Sequence, residues 1–457
     1  MGYGIKLTVL ATLSAIGFGA LKVSNLFEIP PVPTLDETWW GPGTPSAGDK
    51  SIRPFKIAVE DEVLKDLQYR LKHTRDLPPP LEGAQQNYGM NSKLTKKIVD
   101  FWLNDYKWKE REQFLNKFPQ FKTNIQGLDI HFLHVKPKET KGLKVLPLLL
   151  IHGWPGSVRE FYEIIPLLTT PQNGRNFVYE VIVPSLPGYG FSSAAVRPGL
   201  GAPQMTVVMK NLMKRLNFEK FYVQGGDWGA IISTYLATLF PHNVIAMHSN
   251  MCSAMSAKSA LKMMVYSFKP SSIIEEKYEH LIYPMSNFYS RLIEETGYLH
   301  IQASKPDTVG TALTDSPAGL AAYILEKFTT WTNPQWKQLE DGGLLKKYKM
   351  EDLLDNVMIY WVTSSITTSM RLYAESMNKE QLAMRLDIIP VNVPSGCSRF
   401  IHDIVYSPTA LLEDKYPNLI HVTDHDGGHF AAFELPAVLA KDIYDFTDKV
   451  LRLKTEK

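Results

Sequence analysis

The sequence predicts an α/β fold on a mostly parallel sheet, with a helical lid inserted between two parts of the sheet and an N-terminal membrane anchor and wrapping segment ahead of it. Three observations carry that prediction. Residues 143–151 form a nearly unbroken apolar run, which marks a strand buried on both faces, as in a parallel sheet. Phe221, Tyr222 and Val223 lead into Gly225-Gly226-Asp227-Trp228-Gly229 and then into the helix-prone residues 230–239, giving a strand, a tight turn and a helix. Across residues 252–387 the periodicity becomes mostly helical and Met, Tyr, Phe and Trp accumulate, before strand-like runs return at 388–394 and 419–422.

Composition bounds the alternatives. A chain of 457 residues, 44% hydrophobic and 21% charged, buries a large core, and one large domain with an inserted or flanking piece suits it better than three small ones. A net charge of +2 gives no reason to expect nucleic acid as a partner. Two cysteines, Cys252 and Cys397, do not suggest a disulfide framework, and no Asn-x-Ser/Thr sequon occurs. Together these place the folded body in the cytosol.

Residues 1–23 read as the anchor. The stretch 5–23 is apolar apart from Lys6, Lys22 and small hydroxyl residues. At about 1.5 Å per residue it reaches the ~30 Å hydrocarbon thickness when the flanking lysines snorkel. A cleaved signal peptide would have a shorter apolar core, followed by disulfides or sequons in the mature chain. Lysines at both ends leave the orientation open. Residues 24–141 form the connector and wrapping region. Its first part, to residue 57, is rich in Pro, Gly and Trp and extended, whereas Val63, Leu64, Leu67 and Leu71 mark an amphipathic helix over 60–72. A second helix is expected over 94–107 and a hairpin over 121–135. No chemistry is visible there. The first part of the core spans 142–251, the lid 252–387 and the second part 388–457, closing with a helix over 435–453.

The chemistry gathers at three turns. In the first, Gly225 and Gly229 stand two residues before and two after Asp227, where any Cβ would clash, and Asp227 is held out at a helix N-terminus that favours negative charge. This resembles the nucleophile elbow of α/β-hydrolases, with Asp where esterases and lipases carry Ser, which changes acyl transfer into alkyl transfer. Alone, the pattern equally fits an ordinary αβ turn with a capping Asp. The second turn is His152-Gly153-Trp154-Pro155-Gly156 after the apolar run; in such a fold the backbone N–H groups of Trp154 and Trp228 supply the oxyanion hole. The third is Asp426-Gly427-Gly428-His429-Phe430, which puts a histidine after the nucleophile in chain order. An acid to orient His429 belongs on a loop after a late strand, and Asp403 follows the run 388–394. Asp424 and Asp426 compete, although so close to His429 along the chain they have trouble reaching its Nδ1 while Nε2 faces Asp227.

The set HGWPGS (152–157), PSLPGYGFS (184–192), GGDWG (225–229) and GGHFAAFE (427–434), with the anchor and Trp39-Trp40-Gly41-Pro42-Gly43, resembles the microsomal epoxide hydrolases, and within them the insect juvenile hormone epoxide hydrolases. The likeness runs through essentially the whole chain. It implies Asp227 as nucleophile, His429 as base, Trp154 at the oxyanion hole, and Tyr298 and Tyr373 as the ring-opening tyrosines. It also implies an apolar epoxide as substrate, juvenile hormone or a xenobiotic, no cofactor and no metal, and residence in the endoplasmic reticulum membrane. Among 21 tyrosines these two stand out through the resemblance alone. One departure is Asp403, where such proteins usually carry Glu; the shorter side chain must still reach His429. The implied reaction is two-step hydrolysis to a vicinal diol through an ester of Asp227. Two other readings are a haloalkane dehalogenase-like hydrolase, which also uses an elbow Asp followed by Trp, and a silent membrane-tethered carrier of apolar hormone.

Overall fold

In the structure, a computed structural model that describes residues 28–45, 49–254 and 256–455, the apolar run lies in the middle of the sheet. Leu148, Leu149, Leu150 and Ile151 end β4 (Lys144–Ile151) fully buried, because β4 pairs in parallel with β5 (Phe177–Pro184) on one side and β6 (Phe221–Gly225) on the other. Parallel pairing continues through β7 (Val244–Ser249) and β8 (Ser395–Phe400) to β9 (Leu419–His425). On the opposite edge, β3 (Leu128–Val135), β2 (Gln120–Ile125) and β1 (Arg53–Phe55) pair antiparallel, so the nine strands among the described residues run in the order β1-β2-β3-β5-β4-β6-β7-β8-β9. The wrapping region thus extends the same sheet, with the expected hairpin as β2 and β3.

Helices cover this sheet as their periodicity requires. The two expected N-terminal helices are Asp61–Lys72 and Ser92–Asn104, the second capped by the Asn91 side chain accepting from the Leu94 N–H. A further helix, Trp108–Leu115, follows them. Between β7 and β8 the lid is helical, from Ala257–Tyr266 to Lys379–Ala383, and the chain closes with the helix Pro436–Thr455.

Two expectations are corrected. The run 388–394 is not a strand; β8 starts at Ser395. Pro390 and Pro394 have no N–H to give a ladder, and the Val391 N–H donates instead to the Lys415 carbonyl. The cysteines, in turn, are bonded to each other with a Cα separation of 5.9 Å. Cys397 lies on β8 opposite Ser249, just before Cys252, so the bond joins the two ends of the lid insertion, 145 residues apart in sequence. That adjacency is created by the sheet order. It removes unpaired cysteines as a ground for placing the body in the cytosol. The candidate anchor lies outside the described residues, among which no helix is long and apolar enough to cross a membrane.

Candidate active site

The parallel strands end on one side of the sheet, and the residues singled out by sequence sit just past those ends, where open α/β sheets bind ligands. Asp227 follows β6 with φ +51° and ψ −130°, a backbone conformation that non-glycine residues avoid and that costs about 1–3 kcal/mol. Its neighbours permit it. A Cβ on Gly225 would overlap the Gly229 backbone, and one on Gly229 would overlap the Ile151 carbonyl at the end of β4. Close strand–turn–helix packing therefore demands both glycines.

The Asp227 carboxylate is held between two elements. Its Oδ1 accepts the Trp154 N–H at 2.7 Å, and its Oδ2 stands 3.5 Å from His429 Nε2. It caps no N–H of the helix Trp228–Leu239 that follows, so of the two expected backbone donors the structure brings Trp154 onto the carboxylate and not Trp228. The Trp228 ring instead meets Tyr373 edge-on at 4.9 Å. The Trp154 loop is set by His152, whose Nε2 accepts the Leu186 N–H at 3.1 Å and whose Nδ1 therefore donates to the Gly153 carbonyl at 2.9 Å. Burial lowers His152 to about 4, which keeps this tautomer neutral.

His429 Nδ1 lies 2.7 Å from Asp403 Oδ1, so the one-methylene-shorter acid reaches the imidazole. The same oxygen accepts the Ile404 N–H at 2.6 Å, and the residue is 2% exposed. The competing acids are engaged elsewhere. Asp424 pairs with both forks of Arg399, at 2.8 and 2.6 Å, and Asp426 faces His402 at 2.9 Å. Burial disfavours the imidazolium, but the Asp403 and Asp227 carboxylates overcome it and raise His429 to about 10.

Tyr298 and Tyr373 both come from the lid and pack against Trp154, whose N–H holds the carboxylate. Tyr298 stacks on Trp154 with ring centres 5.2 Å apart, and Tyr373 meets Tyr298 edge-on at 5.8 Å. The Tyr373 hydroxyl is buried without a hydrogen-bond partner, and an orphan donor of that kind fits a ligand oxygen. Burial first, then the neighbouring Asp227 charge, holds Tyr298 well above the usual phenol range.

Sequence reasoning missed three residues here. The Trp331 carbonyl accepts the His429 N–H at 2.8 Å and its ring lies 4.8 Å from the imidazole, so the lid helps to fix the base. Asn250, just past β7, and Glu160, on the short turn after the Trp154 loop, line the cavity beside Asp227 and His429. A carboxyl four residues after HGWPG was a detectable signal. Asn250 carried none.

The chain has clear relatives. Residues 52–161 match the model described as "Epoxide hydrolase N terminus", and residues 147–385 the "alpha/beta hydrolase fold" model. Over all of this chain and 98% of its own length, "Juvenile hormone epoxide hydrolase 1" of Ctenocephalides felis is 52% identical. "Epoxide hydrolase 1" of Oryctolagus cuniculus is 46% identical, over 92% of this chain and 94% of its own. The crystal structure of juvenile hormone epoxide hydrolase from Bombyx mori is 51% identical and superposes with a TM-score of 0.91, over 92% of this chain and 100% of that one.

Proposed function

We propose, for a chain that belongs to the family of microsomal and juvenile hormone epoxide hydrolases, the two-step hydrolysis of an apolar epoxide to a vicinal diol. The observation that carries the assignment is a carboxylate on a strained elbow, 2.7 Å from a backbone N–H donor and 3.5 Å from a histidine that a second carboxylate orients. In the first step Asp227 attacks an epoxide carbon. The C–O bond of the ring breaks while the Tyr298 and Tyr373 hydroxyls hydrogen-bond its oxygen, and an ester of Asp227 forms.

In the second step His429 takes a proton from a water whose oxygen attacks Cγ of the ester. The developing oxyanion is met by the Trp154 N–H, a donor whose loss typically costs about 3–4 kcal/mol in the barrier. Cγ–O cleavage then releases the diol as the imidazolium returns its proton to the leaving oxygen, and the proton left on the new Asp227 carboxyl replaces the one the ring oxygen took from the tyrosine pair. Esterification prepares this step. It removes the Asp227 charge that helps to hold the imidazolium near 10 in the resting enzyme, so His429 becomes a better base once the ester exists.

The Ctenocephalides felis and Bombyx mori relatives are named for juvenile hormone, and the lid supplies aromatic surface around the nucleophile. On that basis a long terpenoid epoxide ester is the preferred substrate over a small aromatic epoxide. Comparable kcat/KM for juvenile hormone and styrene oxide would overturn the preference. Residence in the endoplasmic reticulum membrane through residues 1–23 belongs to the same proposal and rests on their apolar sequence. Deleting those residues should shift the enzyme out of the carbonate-resistant pellet.

The reaction itself is tested by a single turnover in ¹⁸O water with enzyme in excess. The first diol should be unlabelled and a peptide containing Asp227 should gain the label, because the new diol oxygen comes from the carboxylate. Labelled diol at first turnover would remove the ester, and no diol at all would leave the silent-carrier reading.

A further inference from the structure

We propose that Glu160 is a positioning residue for the hydrolytic water, which it holds against His429 in a cavity that has room for one molecule. The inference rests on the ester mechanism above and adds to it the place from which water attacks. The cavity is bounded by Gly153, Trp154, Glu160, Asp227, Asn250 and His429, and it leaves the centre of a water-sized sphere about 10 Å³. That is at the lower end of the roughly 10–15 Å³ a cavity needs to hold a single water, and a water so placed needs two to four polar partners. Asp227 and His429 are two. Asn250 Oδ1 is already taken by the Gln224 amide at 2.7 Å. Its Nδ2 can only donate, so among the lining side chains beyond Asp227 and His429 the acceptor left over is Glu160, whose carboxyl makes no hydrogen bond or ion pair among the described residues and lines this cavity.

The local chain is shaped to put the carboxyl there. Glu160 lies on the short turn Val158–Phe161, whose Ser157 side chain accepts the Arg159 N–H at 3.2 Å. A Cβ on Gly156 would overlap Glu160 Oε1, so the glycine opens the space into which the carboxyl folds. The Tyr360 hydroxyl fixes that glycine by donating to its carbonyl at 2.7 Å. The preceding residue, Arg159, points the opposite way and is consumed by Asp355 at 3.0 Å and Glu163 at 2.7 Å. One turn thus sends its cation into a structural cluster and its acid into the active site.

The charge state suits the role. Burial raises Glu160 to about 8, the Asp227 carboxylate adds to the rise and His429 opposes it; Tyr348 and Tyr360 are the other titratable groups that feel it. At neutral pH Glu160 is therefore an uncharged acid. It neither repels the Asp227 carboxylate nor competes with His429 for the water's proton. In the ester, one O–H of the water gives its proton to His429 Nε2, the other donates to the Glu160 carbonyl oxygen, and the water lone pair is turned toward Cγ of Asp227. Glu160 gains and loses no proton over the cycle.

The test separates the two steps in the full chain, with His429→Gln as the ester-trapping reference. In quenched single turnovers, Glu160→Ala should alkylate within about twofold of wild type and hydrolyse the ester about ten- to a hundredfold more slowly, the effect of one lost positioning hydrogen bond. Because kcat/KM is governed by alkylation, kcat and KM should fall together and their ratio should hold. Glu160→Gln, which keeps a carbonyl acceptor, should recover part of the hydrolysis rate. Glu160→Asp keeps the acid but withdraws it by one methylene, so it should show the same selective loss even if the alanine variant folds poorly. Wild-type hydrolysis rates in Glu160→Ala and Glu160→Asp, with ester trapped in His429→Gln, would overturn the proposal and leave the ester mechanism standing. Equal losses in both steps would also overturn it, as the mark of a merely structural residue. Absence of ester in His429→Gln would instead take down the mechanism on which the proposal rests.

Discussion

Asp403 and Asp426 lie on the same side of the sheet and within reach of the same loop, yet their surroundings assign them different work. Asp403 is buried with one oxygen on His429 and its Oδ2 without a partner, whereas the Asp426 side chain is 86% exposed beside His402. Asp403→Ala should leave alkylation of Asp227 largely intact and slow ester hydrolysis by about two to four orders of magnitude, because only the second step uses the imidazole as a base. Mass spectrometry should then find the ester accumulating. Asp426→Ala should behave as wild type; the reverse pattern would transfer the role to Asp426. The pH dependence belongs to the same residue. His429 is raised to about 10 in the resting enzyme, so it is protonated through neutral pH and loses its charge only as pH rises toward that value. Hydrolysis needs the neutral imidazole. Its single-turnover rate should therefore climb with pH and level off below about 10, since the ester has lost the Asp227 charge. A rate that falls over pH 6–9 would contradict the assignment of His429 as base.

At the scale of the element, the elbow is the most demanding piece of backbone. Gly229→Ala would drive a methyl into the Ile151 carbonyl, while nothing lies within 4 Å of the place where Gly297 would carry its Cβ. Gly229→Ala should accordingly cost about 3 kcal/mol or more and lower the apparent Tm, whereas Gly297→Ala, in the first turn of a lid helix, should be neutral or better. Equal melting temperatures would mean that the turn relaxes without its glycine. The contrast also shows what a sequence makes legible. The elbow, the Trp154 loop and the histidine loop were readable because each couples a glycine-rich turn to an apolar strand, a local pattern with a local cause. The strand after the lid was misplaced by several residues because Ile388, Ile389, Val391 and Val393 look like a strand, and two prolines deny it the ladder. Neither the cysteine pair nor the cavity position of Asn250 could be read, since both depend on which strands become neighbours across the lid insertion.

The whole molecule is tied together by a buried charge cluster that joins the wrapping region, the core and the lid. Arg159, fully buried after β4, reaches Asp355 at 3.0 Å; Arg111, from the N-terminal helix Trp108–Leu115, donates to Asp355 at 2.8 Å; and the Tyr106 hydroxyl donates to the same carboxylate at 3.0 Å. Asp355 itself belongs to the lid helix Met350–Thr363, whose Asn356 also donates to the Pro155 carbonyl at 2.8 Å. Such a cluster adds little net stability over apolar packing of the same shape, but removing one member strands the rest without water. Asp355→Ala leaves two guanidinium groups facing each other with one fewer anion, and should cost about 3–5 kcal/mol. The exposed pair Lys96–Asp100, at 2.7 Å, supplies the comparison: Asp100→Ala should move stability by less than about 0.5 kcal/mol. Because the cluster also anchors the turn that carries Glu160, a partly stable Asp355→Ala protein should hydrolyse its ester more slowly than it forms it. Thermal unfolding and single-turnover kinetics on one preparation read both effects. If Asp355→Ala unfolds no earlier than Asp100→Ala but still accumulates ester, apolar packing alone holds the three segments, and the cluster serves the active-site turn.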